Sequence, residues 1–222
     1  MVSSGRQTSR KLARRRPQLA VRPRMLIVCE GEKTEPGYFD DLKRHLRISL
    51  VEIVIDDRSG VPKTLVERAV EMKRTASREA RSARDKSLAF EEVWCVFDID
   101  SHPNLPDARQ QAEAHEIRLA VSNPAFELWV LLHFQNQSAF IERKPALRLC
   151  EKHLPGYSKA PTYQELERGY ASAVSRAQSL DAQHARDGTL GANPSTAVHV
   201  LTQRLHEHSR ASHLARVDSV RR

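Results

Sequence analysis

Aromatic side chains make up only 5% of the 222 residues, so the platforms on which single-strand binders stack bases are not expected. Any nucleic acid partner would then be held mainly through its phosphates. Cysteine is also scarce. Cys29, Cys95 and Cys150 are odd in number and widely spaced, and two lie in apolar runs, which excludes a disulfide framework and fits a reducing cytoplasm. No run approaches about 18 uncharged apolar residues, and the basic start has no apolar core with a small-residue cleavage site. A cytoplasmic protein without a membrane partner is expected.

Several chemistries lack their motifs. There is no H-E-x-x-H and no paired Cys/His spacing for zinc, although His206 and His208 bracket Glu207. No G-x-S-x-G elbow supports a serine hydrolase, and Cys29 and Cys95 read as strand filling rather than nucleophiles. The stretch Gly31-Glu32-Lys33-Thr34 echoes the end of a P-loop but lacks its first glycine, so no ATP site is expected in this chain.

Acid is absent from one segment. Residues 1–24 carry eight of the 36 Lys and Arg and no Asp or Glu, leaving 28 basic against 28 acidic residues in a formally neutral body. This arm, with Arg14, Arg15 and Arg16 at its centre, has the composition of a disordered segment. It serves either as a phosphate contact or as a solubilising tail.

What is present is an alternation of strands and helices. Short β-branched and apolar runs predict strands at 25–29, 51–55, 93–97 and 117–121. Helical patterns fall between them, at 34–46 with Thr34 as cap, at 62–84 after the turn 57–60, and at 106–115. An apolar helix at 125–134 could be core or an interface between two copies, which leaves a homodimer open. Beyond 140 the pattern is helical only, at 142–153, 162–185 and 194–208, the last capped by Asn193. The fold expected is α/β, a mostly parallel four-stranded sheet flanked by helices, with an all-helical C-terminal extension. The units would be a basic arm 1–23, an α/β domain 24–140, a helical extension 141–210 packed on it, and a flexible tail 211–222.

Sites in such sheets lie at the carboxyl ends of the strands. There the first strand ends in Glu30-Gly31 and the third in Asp98-Ile99-Asp100. Side chains alternate along an extended backbone, so Asp98 and Asp100 project to one side and can share a hard cation such as Mg²⁺. Carboxylates gathered without Lys or Arg between them either raise one another's pKa or recruit such a cation. D-x-D alone reads better as strand-end punctuation; the acid ending the first strand turns the balance towards a metal site.

The segments MLIVCEGEKTEPGYF, VWCVFDID, SNPAFELWVLLHF and NPSTAVHVL together resemble the RloB family, over about residues 24 to 210. The resemblance implies a Toprim, Rossmann-like core in which Glu30, Asp98 and Asp100 position Mg²⁺ (or Mn²⁺) for phosphodiester chemistry on RNA, with transfer RNA the analogy from related defence nucleases, or on DNA. Glu30 to Glu35 also resembles the E-G-x-x-x-E start of OLD-type Toprim nucleases, which implies Glu35 as a further metal ligand. Its plainer role is to complement the dipole of the helix it starts. RloB-like proteins stand beside AAA-type ATPases in prokaryotic defence loci, so the resemblance implies an antiphage effector and an ATPase partner.

Five further residues are candidates by position. Glu127 is a carboxylate amid Phe126, Leu128, Trp129 and Val130 and needs a partner such as a metal, water or an internal base, which makes it a candidate catalytic residue. His133 and Asn123 flank it on the same segment. Lys33 could neutralise a phosphate oxygen, and His102 could protonate a leaving group. Two other functions remain open. Phe97-Asp98-Ile99-Asp100 superficially matches the nucleophile strand of haloacid-dehalogenase-like phosphatases, although His102 stands where that motif has Thr or Val. A non-catalytic subunit binding nucleic acid or an ATPase is the alternative outside enzymes.

Overall fold

The computed structural model describes residues 24–31, 33–56, 61–99, 105–157 and 161–220, with side chains through residue 211. The arm 1–23, the turn 57–60, Asp100 and His102 lie outside the described residues. Strands β1 (Met25–Cys29), β2 (Val51–Ile55), β3 (Glu92–Asp98), β4 (Arg118–Asn123) and β5 (Ser195–Thr196) form one sheet in the order β2-β1-β3-β4-β5. The first four are parallel, and β5 runs antiparallel to β4.

The sheet thus has five strands rather than the expected four, and the segment beyond 140 is not wholly helical. Only Ser195 and Thr196 make up the extra strand, too short for any period-2 pattern to announce it. Tertiary contact creates it: Ser122 pairs with Thr196, and their hydroxyls stand 3.0 Å apart in the interior.

Helices cover both faces. Helix α1 (Thr34–His45) packs on one face, and α2 (Pro62–Ala83) and α3 (Leu105–Ala114) pack on the other. The strand β1 shows why. All five of its residues are fully buried, with Met25, Ile27 and Cys29 in the core on the α1 side and Leu26 and Val28 in the core on the α2 side. Each large apolar side chain so buried contributes about 2 kcal/mol, so only the middle of a two-sided sheet suits such a run.

On the α1 side the core continues through α4 (Glu127–Leu132), α5 (Arg143–His153), α6 (Tyr163–Leu166), α7 (Tyr170–Asp187) and α8 (Val198–Val220). Every residue of α4 is buried, so this apolar helix is core rather than a free face. The helix expected over 162–185 is broken, with a 3₁₀ turn at Glu167–Gly169 separating α6 from α7. Gly169 lies there because the chain presses on the end of α4: an added Cβ would stand 2.9 Å from the Cβ of His133.

Two expected caps are corrected. Thr34 is the first residue of α1, and Lys33 occupies the cap position without a side-chain bond. Asn193 caps nothing. Its amide instead exchanges two hydrogen bonds with the backbone of Ile141, donating to the carbonyl at 2.8 Å and accepting from the N–H at 3.0 Å. Helix α8 continues well past 208, through most of the 211–222 segment.

The connections position the site. The chain leaves β1 towards α1 on one face and leaves β3 towards α3 on the other, although β1 and β3 are neighbours. Diverging connections open a crevice at the carboxyl ends of these two strands, the topological switch point of the sheet.

Candidate functional site

In that crevice lies a cavity of about 250 Å³ lined by Gly31, Lys33, Thr34, Glu35, Asp98, Phe126, Glu127 and Arg143. Strand parity explains how Asp98 reaches it. Trp94 and Val96 face the core on the α1 side, so Asp98, two residues further, projects to the same face. Glu35 enters from the first turn of α1 and Glu127 from the start of α4. Phe126 holds α4 against α1 by edge contacts with Tyr38 and Phe39, at ring separations of 5.5 and 6.1 Å.

Three acids from three elements therefore line one cavity, and all are buried: Glu35 is 6%, Asp98 7% and Glu127 2% exposed. Burial pushes the Glu35 carboxyl above its ordinary pKa, and the charges of Glu127 and Glu30 push it further. A bond from its own backbone N–H and the charge of Arg143 pull the other way without reversing the shift. Among the described residues, one carboxylate oxygen of Glu127, Oε2, is buried without a hydrogen-bond partner.

Gly31 is required by this crowding. A Cβ built on it would overlap Oε2 of Glu35 and stand 2.7 Å from Cδ and 2.9 Å from Oε1. The Glu-Gly pair is thus a strand end whose bare backbone lets a carboxylate lie against it.

Glu30 stands beside the cavity rather than in its lining. Its N–H bonds the carbonyl of Val96 at 3.0 Å, which continues the β1–β3 pairing past the strand and holds Glu30 near Glu35. Among the described residues, which exclude Asp100, no group of three His, Cys, Asp or Glu side chains is set to hold a metal ion. The donors that are gathered are all hard carboxylate oxygens, one of them orphaned, and in kind they fit a hard divalent cation.

Two residues at the site were not among the candidates. Arg143, the first residue of α5, places Nη2 3.6 Å from Oδ2 of Asp98, so the acids are not free of a cation as the sequence had led us to expect. A signal for it existed: α5 carries basic residues and no acid in its first turn, against the helix dipole. Tyr157 is the other. Its buried hydroxyl has no partner among the described residues, and burial together with the charges of Glu127, Cys150, Glu35 and Asp98 raises its pKa.

The remaining candidates separate. Lys33 lines the cavity. His133 belongs to the core instead: its Nδ1 faces the carbonyl of Trp129 at 2.9 Å, its ring packs edge-on to Trp129, and burial holds its pKa down to about 4. Asn123 donates to the carbonyl of Gly191 at 2.9 Å. Cys29 and Cys95 are buried, and burial pushes both thiols up, away from nucleophilic use.

No curated protein and no solved structure matches the chain. A family model, that of the RloB-like proteins, matches residues 25–205, from the first residue of β1 into α8. The chain belongs to the RloB-like protein family.

Proposed function

We propose that this chain is a Toprim-type, Mg²⁺- or Mn²⁺-dependent nuclease that hydrolyses phosphodiester bonds of RNA or DNA as the effector of an antiphage system. The observation that carries this reading is the convergence of Glu35, Asp98 and Glu127, with Glu30 beside them, in the switch-point crevice. Burying acids side by side is costly unless protons or a cation offset their repulsion, and such arrangements cluster at functional sites.

Glu30, Glu35 and Asp98, with Asp100 two positions on in the sequence, would hold the ion. Bound there, a divalent ion lowers the pKa of a water and offsets charge gathering on the phosphate. The chain's own residues supply the rest. Lys33 lines the cavity and offers an ammonium to a non-bridging phosphate oxygen, and Arg143 offers a planar fork to the same group. Glu127, with an unsatisfied oxygen, is suited to accept a proton from the attacking water.

The test is incubation of the full chain with total RNA and with plasmid DNA, with and without Mn²⁺, beside Asp98→Ala. We expect metal-dependent cleavage of at least one substrate and its loss in the variant, with an unchanged circular dichroism spectrum. Undiminished cleavage by Asp98→Ala, or none by the wild type, would overturn the reading.

The Arg143–Asp98 pair favours a second reading, a non-catalytic subunit that binds nucleic acid or an AAA-type ATPase, because a guanidinium there already meets one carboxylate. Calorimetric titration separates the two. The scaffold predicts no saturable Mg²⁺ or Mn²⁺ binding that depends on Asp98.

A further inference from the structure

A second feature lies at the opposite edge of the sheet. A groove of about 550 Å³ runs between the C-terminal half of α2 and the end of α3, and Lys73, Arg74, Arg78 and Arg81 of α2 line one wall. The other wall is Ala114, His115 and Glu116. Because α2 leads into the start of β3 and residues 114–116 lead into the start of β4, the groove sits at the amino edge. The length of β3, at about 3.3 Å per residue, separates it from Asp98 by about 20 Å.

The charges of α2 are sorted by face. Residues 70, 73, 74, 77, 78 and 81 fall at helical spacing on one stripe, with four cations and no acid. Glu71 and Glu79 turn to a neighbouring hollow, where Glu71 pairs with Arg68 at 3.6 Å. Within the groove Lys73 is already engaged. Its ammonium donates to the carbonyl of His115 at 2.8 Å, meets the Glu116 carboxylate at 3.3 Å, and so neutralises both that acid and the carbonyl end of α3.

Arg74, Arg78 and Arg81 are left over. All three are exposed, and none has an ion pair among the described residues. Helix-dipole complementation accounts for Arg81 in the last turn but not for the other two. Guanidinium groups spaced this way span about 10 Å of helix, the axial length of about three phosphates of one strand.

We infer that this groove binds the phosphate backbone of a nucleic acid strand, through Arg74, Arg78 and Arg81, at a site separate from the acidic cavity. The choice of nucleic acid as the polyanion rests on the hydrolase reading above; the site itself rests on the groove. With few aromatic residues available, contacts would be to phosphate and indifferent to sequence. A strand held there and cut at the acidic cavity must span both edges, which favours long substrates over short ones.

The test is fluorescence anisotropy of a labelled 20-nucleotide single strand with the full chain in a chelator, where hydrolysis is off. The variant is R74E/R78E/R81E, and the charge-matched control is K152E/R168E/R186E on other elements. We expect the groove variant to bind at least about tenfold more weakly and to lose about 2 from the slope of log K against log salt. The control should bind much more like the wild type. Equal affinity and slope in the groove variant and the wild type, an equal loss in the control, or a wild type that does not bind would each overturn the proposal. Groove-dependent binding by a protein that cleaves nothing with any divalent ion would leave the groove standing and remove the hydrolase reading. Cleavage by a groove variant that still binds like the wild type would do the reverse.

Discussion

The guanidinium of Arg143 lies 3.6 Å from the carboxylate of Asp98, joining the first turn of α5 to the end of β3 across the acidic cavity. Side-chain exposure is 45% for the arginine and 10% for the aspartate, so water screens the pair and it contributes at most about 1 kcal/mol to stability. Its value is then in the chemistry. Arg143→Ala should unfold in urea within about 1 kcal/mol of the wild type yet lose at least about tenfold in hydrolysis. The variant should also gain more from saturating Mn²⁺ in thermal melts, because its acids have lost their internal cation. Full activity in Arg143→Ala would remove it from the site.

Glu35 makes a signed prediction about pH. Its carboxyl is raised above the ordinary 4.5 by burial first and by the charges of Glu127 and Glu30 next. A raised acid holds its proton more tightly in the folded state, so its contribution to stability is complete below the unfolded value and lost as pH rises through the folded one. Glu35→Gln, which cannot ionise, should therefore be more stable than the wild type at neutral pH, with the gain vanishing towards pH 4. Urea midpoints of the two proteins across that range measure the difference. A gain that persisted at low pH would place its cause elsewhere.

Gly31→Ala should separate site from fold. The atoms a new Cβ meets are the far end of the Glu35 side chain, which can move, so the cost in stability should stay near 1 kcal/mol, the low end for overpacking. Hydrolysis should nevertheless fall to the level of Glu35→Gln. An alanine variant with wild-type turnover would show that the position of this carboxylate does not matter.

Away from the site, Glu92 ties the C-terminal helix to the sheet. Buried at the start of β3, it accepts from the guanidinium of Arg204 and from the Trp94 indole at 3.3 Å, and it forms ion pairs with Arg118 at 3.6 Å and with His208 at 3.8 Å. Burial alone would raise its pKa, but the Arg204 hydrogen bonds and the two arginine charges outweigh it and hold the carboxyl below 4.5. A depressed acid contributes stability above its unfolded value and loses it as pH falls through the folded one. Glu92→Ala should cost about 2–3 kcal/mol at pH 7, less than a fully buried pair because both arginines are partly exposed. The deficit should shrink as pH drops below 4.5. Chemical denaturation at pH 7 and pH 3 measures both, and an equal deficit at the two would show that packing rather than charge is lost.

Much of the architecture was legible because its signals are local. The strand β1 is a run of five apolar residues and β2 a β-branched run, and each occupies the residues at which its pattern begins and ends. The alternation of such runs with helices implied parallel pairing before any contact was known. The break between α6 and α7 was not legible, because it answers a contact between Gly169 and His133 that no window of neighbouring residues contains. The same holds for β5, whose two residues are a strand only because β4 lies beside them.

The candidate site divides along the same line. The sequence by itself determined that Glu30-Gly31 and Asp98 stand at the ends of the first and third strands, since strand ends follow from periodicity, and that Glu127 is an acid in apolar company. Only the tertiary structure decided that Glu35 and Glu127 line one cavity with Asp98, that Glu30 stands beside it, and that Arg143 enters among them. It also placed four of the cations of α2, Lys73, Arg74, Arg78 and Arg81, along one wall of a groove in a body whose formal charge is zero. The physical reason is the range of the forces: backbone pattern is decided by neighbours in the chain, whereas charge and burial act between residues that only folding makes neighbours.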